Sequence, residues 1–489
     1  MKFLLNKEAL QTNIWGSAIA YFERVLGNVE IIPLNTIVPK RRRICRLQHA
    51  VESKFAGTIT DKVSVFDKKI DVSTENLVLN ISCAEIDSVF KNHLGKEIWA
   101  IEYHGKNISY FDNCGIGIYE VANNADTIRI DLVKYLSPDN KRIVDSAYYN
   151  PHYSACRNFQ KILSTMPRIV TKNILNGGYA QIAFEGECQI ENPALCNYLK
   201  TFYSSIIKKY WTIMANKMCG YYNEQWTVAI GEGSFIHNGL KNLNVQTMPK
   251  GEFWADPFIV DKDGARYLFF ERFPFDQKKG IISVGDVENG CVHNVRDIIE
   301  QPYHLSYPNV FKEDGDYYMI PECSANNRVE IYKCIEFPDK WELFSTGFEG
   351  ESLVDICYYK DAKGQQWLMA SCSWNDVETH NEVFNIYQID SLRLKKITPH
   401  KLNPIFIDSR KGRNGGRIFM ENGKPIRTAQ DNRFGKYGHG ISLQMIDVLN
   451  NCEYSEHTVA SILGSMVGGF DGTHQLCQSP QSFVMDLRK

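Results

Sequence analysis

Carboxylates recur beside or within apolar strand-like segments in the second half of the chain. Asp256 precedes a proline in "FWADPFIV", Glu322 follows a proline in "YYMIPE", and Asp355 interrupts the apolar run "LVDICYY". An unpaired carboxylate within an apolar strand is costly, so Asp355 requires a partner or a functional reason. Glycosidic-bond chemistry needs two carboxylates facing one sugar, one as an acid and the other as a base or nucleophile. These three acids are therefore the candidate catalytic residues.

Structural roles are also open to these acids. Asp256 can cap a turn, a common use of an Asp-Pro pair, and Glu322 can be a surface carboxylate at a strand end. Glu271 and Arg272, which end the segment "YLFFER", are predicted to form a solvated strand end.

Several further polar and aromatic residues are candidates for binding a substrate. Arg417 can pair with one of the acids or bind an anionic group. His474, in "DGTHQL", can instead close the fold through hydrogen bonds. The candidate substrate-binding residues are Trp254, Arg413, Arg417, Asp431, His474 and, in the first half of the chain, His104.

A hairpin pattern positions these residues, and it repeats along the second half of the chain. Residues 255–271, 306–322, 353–371 and 415–431 each contain an apolar strand, a turn and a second strand. Glycine suits such a turn because it adopts positive φ without a Cβ clash. The four turn glycines recur at intervals of roughly fifty to sixty residues, a period typical of propeller blades. These glycines are Gly264, Gly315, Gly364 and Gly423.

The repeats predict a five-bladed β-propeller over residues 221–489, with a β-sandwich as the alternative. The segment "HGISLQMIDVLNNCEYSEHTVASI" is predicted to supply the fifth blade, and "EQWTVAIGEG" to close that blade against the start of the ring. The innermost strand of each blade faces a central funnel. Equivalent residues on different blades are therefore expected to converge there.

The first half of the chain has a different pattern. Strand-like segments at 77–86 and 97–105 are surrounded by helix-compatible sequence, which predicts an α/β domain over residues 1–193. Residues 194–220 have apolar side chains at helical spacing, which predicts a connecting helix that packs between domains. Contact of this helix with a membrane surface is the alternative. The predicted fold class is thus α/β followed by all-β.

Composition excludes several classes of protein. A length of 489 residues predicts two or three domains, and a net charge of -2 gives no electrostatic case for nucleic acid binding. The 14 cysteines are scattered, without a CxxC pair or another zinc pattern, so reduced thiols and no metal site are predicted. No signal peptide and no apolar stretch of the roughly 18 residues that a membrane span requires is found, so a cytoplasmic protein without a transmembrane segment is expected.

Seven motifs in order carry a resemblance to a known family: "FWADPFIV", "YLFFE", "HLSYPNVF", "YYMIPE", "NGKPIRTAQD", "YGHGI" and "DGTHQL". They resemble the propeller domain at the N-terminus of plant glucosamine inositolphosphorylceramide transferases. Related bacterial proteins carry this propeller behind a formyltransferase-like domain. The resemblance covers about 221–489, and the placing of its acids is similar to five-bladed glycosidases of the arabinanase, levansucrase and invertase type.

The first half resembles the formyltransferase-like partner domain more loosely, through "LVLNISCAEI", "IWAIEYHG" and "GIGIYEV". His104 matches the histidine of that family, but Glu102 stands where active members have asparagine. Asp139 lacks the glycine expected near it. The asparagine donates a hydrogen bond to the formyl oxygen as charge develops there, which an ionised carboxylate cannot do. We therefore expect no folate-dependent formyl transfer.

Three classes of function stay open. One is a glycosyl-transferring enzyme of glycan or glycolipid biosynthesis that uses acids in the propeller funnel. Another is a formyl or acyl transferase acting on an amino-sugar nucleotide, with the propeller as a recognition module. The last is a non-catalytic glycan-binding scaffold. The acids favour the first class and Glu102 weakens the second; the expected ligand is a sugar or a nucleotide-sugar donor.

Overall fold

Two stretches of sequence with different strand patterns fold into two separate units. The computed structural model describes residues 1–11, 15–36, 43–56, 62–69, 73–110, 115–177, 195–219, 225–374 and 380–489. Of these, Met1–Lys209 with Trp374 form one compact unit, and Tyr210–Ser373 with His380–Lys489 form the other. The predicted domain boundaries at 193/194 and 220/221 lie outside the described residues.

The first unit is built on a mixed sheet. Its strands are β1 (Lys2–Asn6), β2 (Glu30–Leu34), β3 (Leu77–Ile81), β4 (Glu97–Tyr103), β5 (Lys106–Asn107), β6 (Ile128–Ser137) and β7 (Asn140–Tyr149). The order is β2-β1-β3-β4-β6-β7, with β5 against β4; the first four strands run parallel, and β6 and β7 are antiparallel. Every residue of β3 is buried, as expected for a strand covered on both faces.

Helices accompany this sheet. In the described residues they are α1 (Lys7–Gln11), α2 (Gly16–Leu26), α3 (Arg43–Ala56), α4 (Ile86–Asn92), α5 (Ile118–Asn123), α6 (Ala155–Leu175) and α7 (Leu195–Cys219). Ser154 caps α6 by accepting a hydrogen bond from the Arg157 backbone N–H. Helix α7 occupies the segment whose apolar spacing predicts a connecting helix. No helix in the described part of the chain is long and apolar enough to cross a membrane.

The second unit is a five-bladed β-propeller, as the repeats predict. The first two blades are β10 (Glu252–Lys262), β11 (Ala265–Pro274), β12 (Ile281–Glu288) and β13 (Cys291–Ile299), then β14 (Ser306–Glu313), β15 (Asp316–Glu322), β16 (Val329–Glu336) and β17 (Lys340–Gly347). The third contains β18 (Leu353–Lys360), β19 (Gln366–Cys372), β20 (Val383–Ile389), β21 (Ile397–Pro399) and β22 (Phe406–Ile407).

The last two blades correct one prediction and confirm another. The fourth blade contains β23 (Arg413–Asn414), β24 (Phe419–Glu421), β25 (Lys424–Asp431), β26 (Gly440–Leu449) and β27 (Tyr454–Leu463). The segment predicted to form the fifth blade therefore supplies the outer strands of the fourth, because β26 pairs with β25.

The fifth blade is composite. Strands β28 (Leu476–Gln478) and β29 (Ser482–Arg488) come from the end of the chain, and β8 (Trp226–Glu232) and β9 (Asn244–Val245) come from the start of the propeller. A short helix, α8 (Phe235–Asn238), lies between β8 and β9. Pairing of β29 with β8 closes the ring and removes an exposed edge, as predicted.

Glycine turns and polar side chains hold the blades together. The turn glycines predicted from the repeats all have positive φ, for example Gly264 at 80° and Gly315 at 92°. Between blades, amide side chains reach the backbone of the neighbouring inner strand. Asn309 donates to the Ile356 carbonyl over 2.8 Å, and Gln475 donates to the Pro257 carbonyl over 3.0 Å. These bonds pair backbone groups that an inner strand leaves unpaired on its funnel side.

Candidate functional site

A left-handed residue lies near the start of the inner strand in three consecutive blades. These are Asp256 (φ 51°), Tyr307 (φ 46°) and Asp355 (φ 48°), and the pairing register shifts across each of them, which marks a β-bulge. The left-handed conformation costs a non-glycine residue about 1–2 kcal/mol, so surrounding contacts must hold it. The repeated hairpin thus presents three equivalent side chains to the interior of the ring.

A cavity of about 560 Å³ lies at this end of the inner strands. It is lined by Thr212, Trp226, Phe253, Ala255, Asp256, Glu271, Phe273, Lys278, His304, Ser306, Glu322, Arg413, Tyr437 and His474. Carboxylates, basic groups and aromatic rings therefore line the same cavity. Sugar sites combine these side chains, because polar groups bind hydroxyls and ring faces cover the apolar side of a pyranose.

A larger cavity of about 720 Å³ shares Trp226 with this site. Its wall contains Lys250, Lys489 and one carboxylate, Glu252, which is occupied by an ion pair with Arg272 at 2.7 Å. We place the candidate site in the smaller cavity, because that is where the acids converge.

His474 contacts two carboxylates at the base of the smaller cavity. Its Nε2 lies 2.9 Å from Asp256 Oδ1, and its Nδ1 lies 2.9 Å from Asp486 Oδ2. The Nδ1 contact is an ion pair without hydrogen-bond alignment. The other oxygen, Asp486 Oδ1, accepts from the backbone N–H groups of His474 and Gln475. Burial opposes charge on the imidazole, but the two carboxylates outweigh it and raise the pKa of His474 to about 10.

Asp256 and Glu271 both line this cavity, and their pKa values are shifted in opposite directions. Burial alone would raise the pKa of Asp256, but the His474 charge and hydrogen bond, with help from Arg413, hold the pKa below its usual value. Burial raises the pKa of Glu271 well above its usual value, and the nearby Asp256 charge raises it further. The pKa values of these two neighbouring carboxyl groups are therefore displaced in opposite directions, which favours the ionised form of Asp256 and the protonated form of Glu271.

The pairing register of β10 and β11 explains why Asp256 and Glu271 are close together. Glu271 pairs with Ala255, so Glu271 and Asp256 lie at the same end of the antiparallel hairpin. The prediction that Glu271 ends a solvated strand was wrong, since the residue is only 6% exposed. In the second blade Glu322 pairs with Ser306 at the equivalent position.

Arg413 joins two of the predicted catalytic acids. Its Nε donates to Asp355 Oδ2 over 2.5 Å, and its Nη2 lies 3.5 Å from Glu322 Oε2. Asp355 also accepts from Gln430 over 2.8 Å and is 1% exposed. Burial opposes charge on Arg413, but the Asp355 carboxylate, followed by Tyr437 and Glu322, raises the pKa of the guanidinium well above its usual value.

These contacts divide the three predicted acids. Asp256 and Glu322 face the cavity, whereas Asp355 lies behind Arg413 and is not among the lining residues. Burial raises the pKa of Asp355, while the charge of Arg413 lowers it. The geometry suits Asp355 to orienting Arg413.

Aromatic rings form the remaining wall. Phe253 and Phe273 stack with centroids 4.8 Å apart and planes 5° apart, and the Trp226 ring centroid lies 4.2 Å from that of His474. The Arg413 guanidinium lies 5.3 Å from the centre of the Tyr437 ring. Burial raises the pKa of Tyr437 well above its usual value, so its hydroxyl stays protonated.

Among the described residues, Asp256, His474 and Asp486 form a group whose ligand atoms lie within 4.8 Å of one another, close enough to hold a metal ion. Both imidazole nitrogens lie 2.9 Å from a carboxylate oxygen and the raised pKa favours the protonated ring, so His474 occupies the position of the cation. The donor set therefore fits a protonated imidazole better than a metal, because a metal-bound imidazole must give up a ring proton.

Three predicted substrate-binding residues lie away from the cavity wall. Trp254 packs in the core against Phe270, with ring centroids 4.6 Å apart. Asp431 forms an ion pair with Arg433 at 2.6 Å. Arg417 donates to backbone carbonyls between blades.

Arg417 links blades at the axis of the ring. It donates to the carbonyls of Val310 over 2.7 Å, Ile259 over 3.0 Å and Gln478 over 3.4 Å. These acceptors belong to the inner strands of the second, first and fifth blades. An anionic ligand would have to displace these bonds, so the structure gives Arg417 a role in holding the ring together.

His104 belongs to the first unit. Its Nε2 lies 3.0 Å from Glu120 Oε1, and Glu120 Oε2 accepts from the Tyr103 hydroxyl over 2.6 Å. Glu102 is 2% exposed and accepts from Tyr135 over 2.6 Å and from Lys141 over 2.7 Å. Both oxygens of the carboxylate that replaces the expected asparagine are thus bound to donors.

Sequence reasoning did not select the other residues of the cavity wall, which are Thr212, Trp226, Phe253, Ala255, Glu271, Phe273, Lys278, His304, Ser306 and Tyr437. A signal was present for Glu271, because "YLFFE" and "YYMIPE" end in glutamate at the same place in the repeat. Tyr437 and His304 lie in connecting loops, outside the repeated hairpins, so the repeat did not mark them. Each begins one of the family motifs, "YGHGI" and "HLSYPNVF", which was the available signal.

The second unit is thus a five-bladed β-propeller with an acidic cavity. Residues 241–471 match the family model described as glucosamine inositolphosphorylceramide transferase 1, N-terminal. Glucosamine inositolphosphorylceramide transferase 1 of Arabidopsis thaliana is 32% identical over 228 residues, which cover 46% of this chain and 28% of that protein. The protein of the same name from Oryza sativa subsp. japonica is 32% identical over 208 residues, covering 42% and 27%. The chain thus spans less than a third of these relatives, and the resemblance seen in the motifs is confirmed over the matched residues.

Solved structures similar to this chain include two glycoside hydrolases. The β-xylosidase RS223 is 11% identical with a TM-score of 0.34, and covers 49% of this chain and 92% of its own. An endo-arabinase from Bacteroides thetaiotaomicron is 18% identical with a TM-score of 0.34, and covers 44% and 84%.

Proposed function

We propose that the propeller cavity binds a sugar and catalyses glycosyl transfer in glycan or glycolipid biosynthesis. The observation that carries the proposal is that two carboxyl groups, Asp256 and Glu271, line one cavity whose surroundings lower the pKa of the first and raise that of the second. Glycosidic-bond chemistry requires such a difference between neighbouring acids.

In the proposed reaction, Glu271 donates its proton to the leaving oxygen as the bond from the anomeric carbon breaks. The sugar ring gains positive charge, which the ionised Asp256 stabilises. The acceptor hydroxyl then bonds to the anomeric carbon and returns its proton to Glu271. The His474 imidazolium keeps Asp256 ionised throughout, and Asp355 holds Arg413 in place.

The residues of the cavity wall also indicate which class of substrate would bind. The stacked rings of Phe253 and Phe273 offer a surface for a sugar ring, while Arg413 and Lys278 offer positive charge to an anionic part of a donor or acceptor. A nucleotide sugar or a phosphate-linked glycolipid has both parts. The name of the matched relatives, which contains glucosamine and inositolphosphorylceramide, agrees with this class.

The test is to titrate the full-length protein with nucleotide sugars and glycolipids while product is followed by mass spectrometry. Glu271→Gln copies the protonated side chain, so ligand binding should be retained while turnover falls at least about a hundredfold. Asp256→Asn should reduce turnover as strongly. The control, Asp431→Asn, removes a buried carboxylate that is paired with Arg433 away from the cavity, and should leave turnover unchanged.

Two outcomes would overturn the proposal. Tight sugar binding without turnover of any donor would make the propeller a glycan-binding scaffold. Transfer of an acyl group to an amino-sugar nucleotide, lost in His104→Ala and retained in Glu271→Gln, would assign the chemistry to the first unit.

A further inference from the structure

Helix α7 has an unusual surface for a helix of 25 residues. Large apolar side chains are exposed along it: Tyr203 (45%), Ile207 (68%), Tyr210 (58%), Trp211 (67%) and Met214 (48%). At 3.6 residues per turn, their spacing places these five on one face. Ile213 is also exposed (51%) and lies about 60° beyond one edge of that face. Contiguous exposed apolar surface of this kind indicates a site of association.

The charges on the same helix have one sign. Lys200, Lys208, Lys209 and Lys217 are all exposed, and the segment Leu195–Cys219 contains no aspartate or glutamate. None of the four lysines forms an ion pair with a carboxylate in the described part of the chain. At 100° per residue, Lys200 falls within the arc of the apolar face at its N-terminal end, Lys208 lies beyond one edge and Lys217 lies beside the other. Lys209 is on the opposite side of the helix.

We propose that α7 lies on the surface of an anionic membrane, with Trp211, Tyr210, Ile207, Tyr203 and Met214 at the boundary between headgroups and acyl chains. Tryptophan and tyrosine favour that boundary because an apolar ring body carries a polar group. The flanking lysines meet the negative headgroups, and their long methylene stems let the ammonium groups reach them.

The charge pattern favours a lipid surface over a second copy of this chain. A copy would bring Lys200, Lys208 and Lys217 to the contact as well, and like charges would face each other without a carboxylate on the helix to pair them. An anionic bilayer supplies the missing negative charge, at about 1 kcal/mol for each lysine near the surface.

The test uses full-length protein and sedimentation with phosphatidylcholine vesicles, with or without phosphatidylserine. Binding to the phosphatidylserine vesicles is expected, and it should weaken as salt is added. The double variant Lys200→Gln/Lys208→Gln should bind about thirtyfold more weakly, and Trp211→Ser should also lose binding. Matched controls are Lys241→Gln/Lys424→Gln, exposed lysines of the propeller, and Leu94→Ser, a side chain that is 82% exposed.

A second measurement separates membrane contact from misfolding or self-association. Fluorescence of Trp211→Cys, made together with Cys196→Ser and Cys452→Ser to remove the exposed native thiols of the described residues and labelled with a polarity-sensitive dye, should shift to the blue on adding phosphatidylserine vesicles. A dye that is already shielded from quencher in the free protein would overturn the proposal, since the face would then be covered. Equal binding of wild type and the lysine variant would also overturn it, as would a dimer that Trp211→Ser converts to a monomer.

Discussion

His474 Nε2 lies 2.9 Å from Asp256 Oδ1, although the two residues are separated by most of the propeller sequence. Both side chains are almost completely buried, so their charges are weakly screened. The contact joins the first and fifth blades where the ring closes. Because the His474 charge lowers the pKa of Asp256, the ionisation of this candidate catalytic carboxylate depends on closure of the ring.

This ion pair predicts a pH dependence of stability. The pKa of His474 is raised to about 10 in the folded protein, above its ordinary value near 6.5. The stabilisation is therefore fully present below about pH 6.5 and is lost as the pH rises through about 10, with an upper bound of about 5 kcal/mol. Urea denaturation across this range should show the decline in wild type and a flatter profile in His474→Gln. His457→Gln, an exposed histidine, is the control; an unchanged slope in His474→Gln would contradict the prediction.

Arg413 and Asp355 are expected to be strongly coupled. Arg413→Met removes the partner of a carboxylate that is 1% exposed, which should cost about 3–5 kcal/mol of unfolding free energy. Adding Asp355→Asn should restore part of that loss, because no buried charge is then left unpaired. The exposed pair Glu336 and Lys340 serves as a control cycle without measurable coupling. Additive effects of Arg413→Met and Asp355→Asn would refute the coupling.

Arg417 is predicted to stabilise the propeller without contributing to binding. Arg417→Met leaves carbonyls of three blades without their donor, and should lower the unfolding free energy by about 2–4 kcal/mol. Sugar affinity of the folded fraction should be unchanged. Arg393→Met, at an exposed position, should have a much smaller effect on unfolding. If Arg417→Met lost sugar affinity but kept full stability, Arg417 would be a substrate-binding residue and the prediction would be wrong.

The first unit is predicted not to transfer formyl groups from 10-formyltetrahydrofolate. Both oxygens of Glu102 accept hydrogen bonds, from Tyr135 and Lys141, so the side chain cannot donate one to a formyl oxygen. The measurement is mass spectrometry of amino sugars and amino-sugar nucleotides after incubation with the protein and the folate. Formylated product that disappears in His104→Ala would show that another residue has taken over the role of the missing amide.

The similarity to a formyltransferase-like domain and the cytoplasmic location stay predictions. Limited proteolysis tests the division predicted from sequence, since a C-terminal fragment beginning near residue 221 should keep a β-rich circular dichroism spectrum. The described residues divide into units between Lys209 and Tyr210, within α7. Cleavage inside the propeller with loss of β structure would contradict an independent C-terminal domain.

Local sequence was sufficient to predict the features that depend on a few neighbouring residues. The turn glycines, the hairpins and their period predicted the propeller, because strand alternation and positive φ are properties of a few consecutive residues. The same repeat located Asp256 and Glu322, since each stands at a fixed place in its hairpin. Glu271 was equally visible in the repeat, but antiparallel pairing determines that it lies at the same end of the hairpin as Asp256.

Only the tertiary structure decided which blades exist and which charges meet. β26 and β27 look like an independent hairpin, but β26 pairs with β25, and the fifth blade is instead assembled from both ends of the propeller sequence. The hydrogen bonds of Arg417 to backbone carbonyls and the ion pair of His474 with Asp256 likewise join residues of different blades that are distant in sequence. Sequence spacing contains no record of such contacts, because closing the ring brings residues together through space and not along the chain.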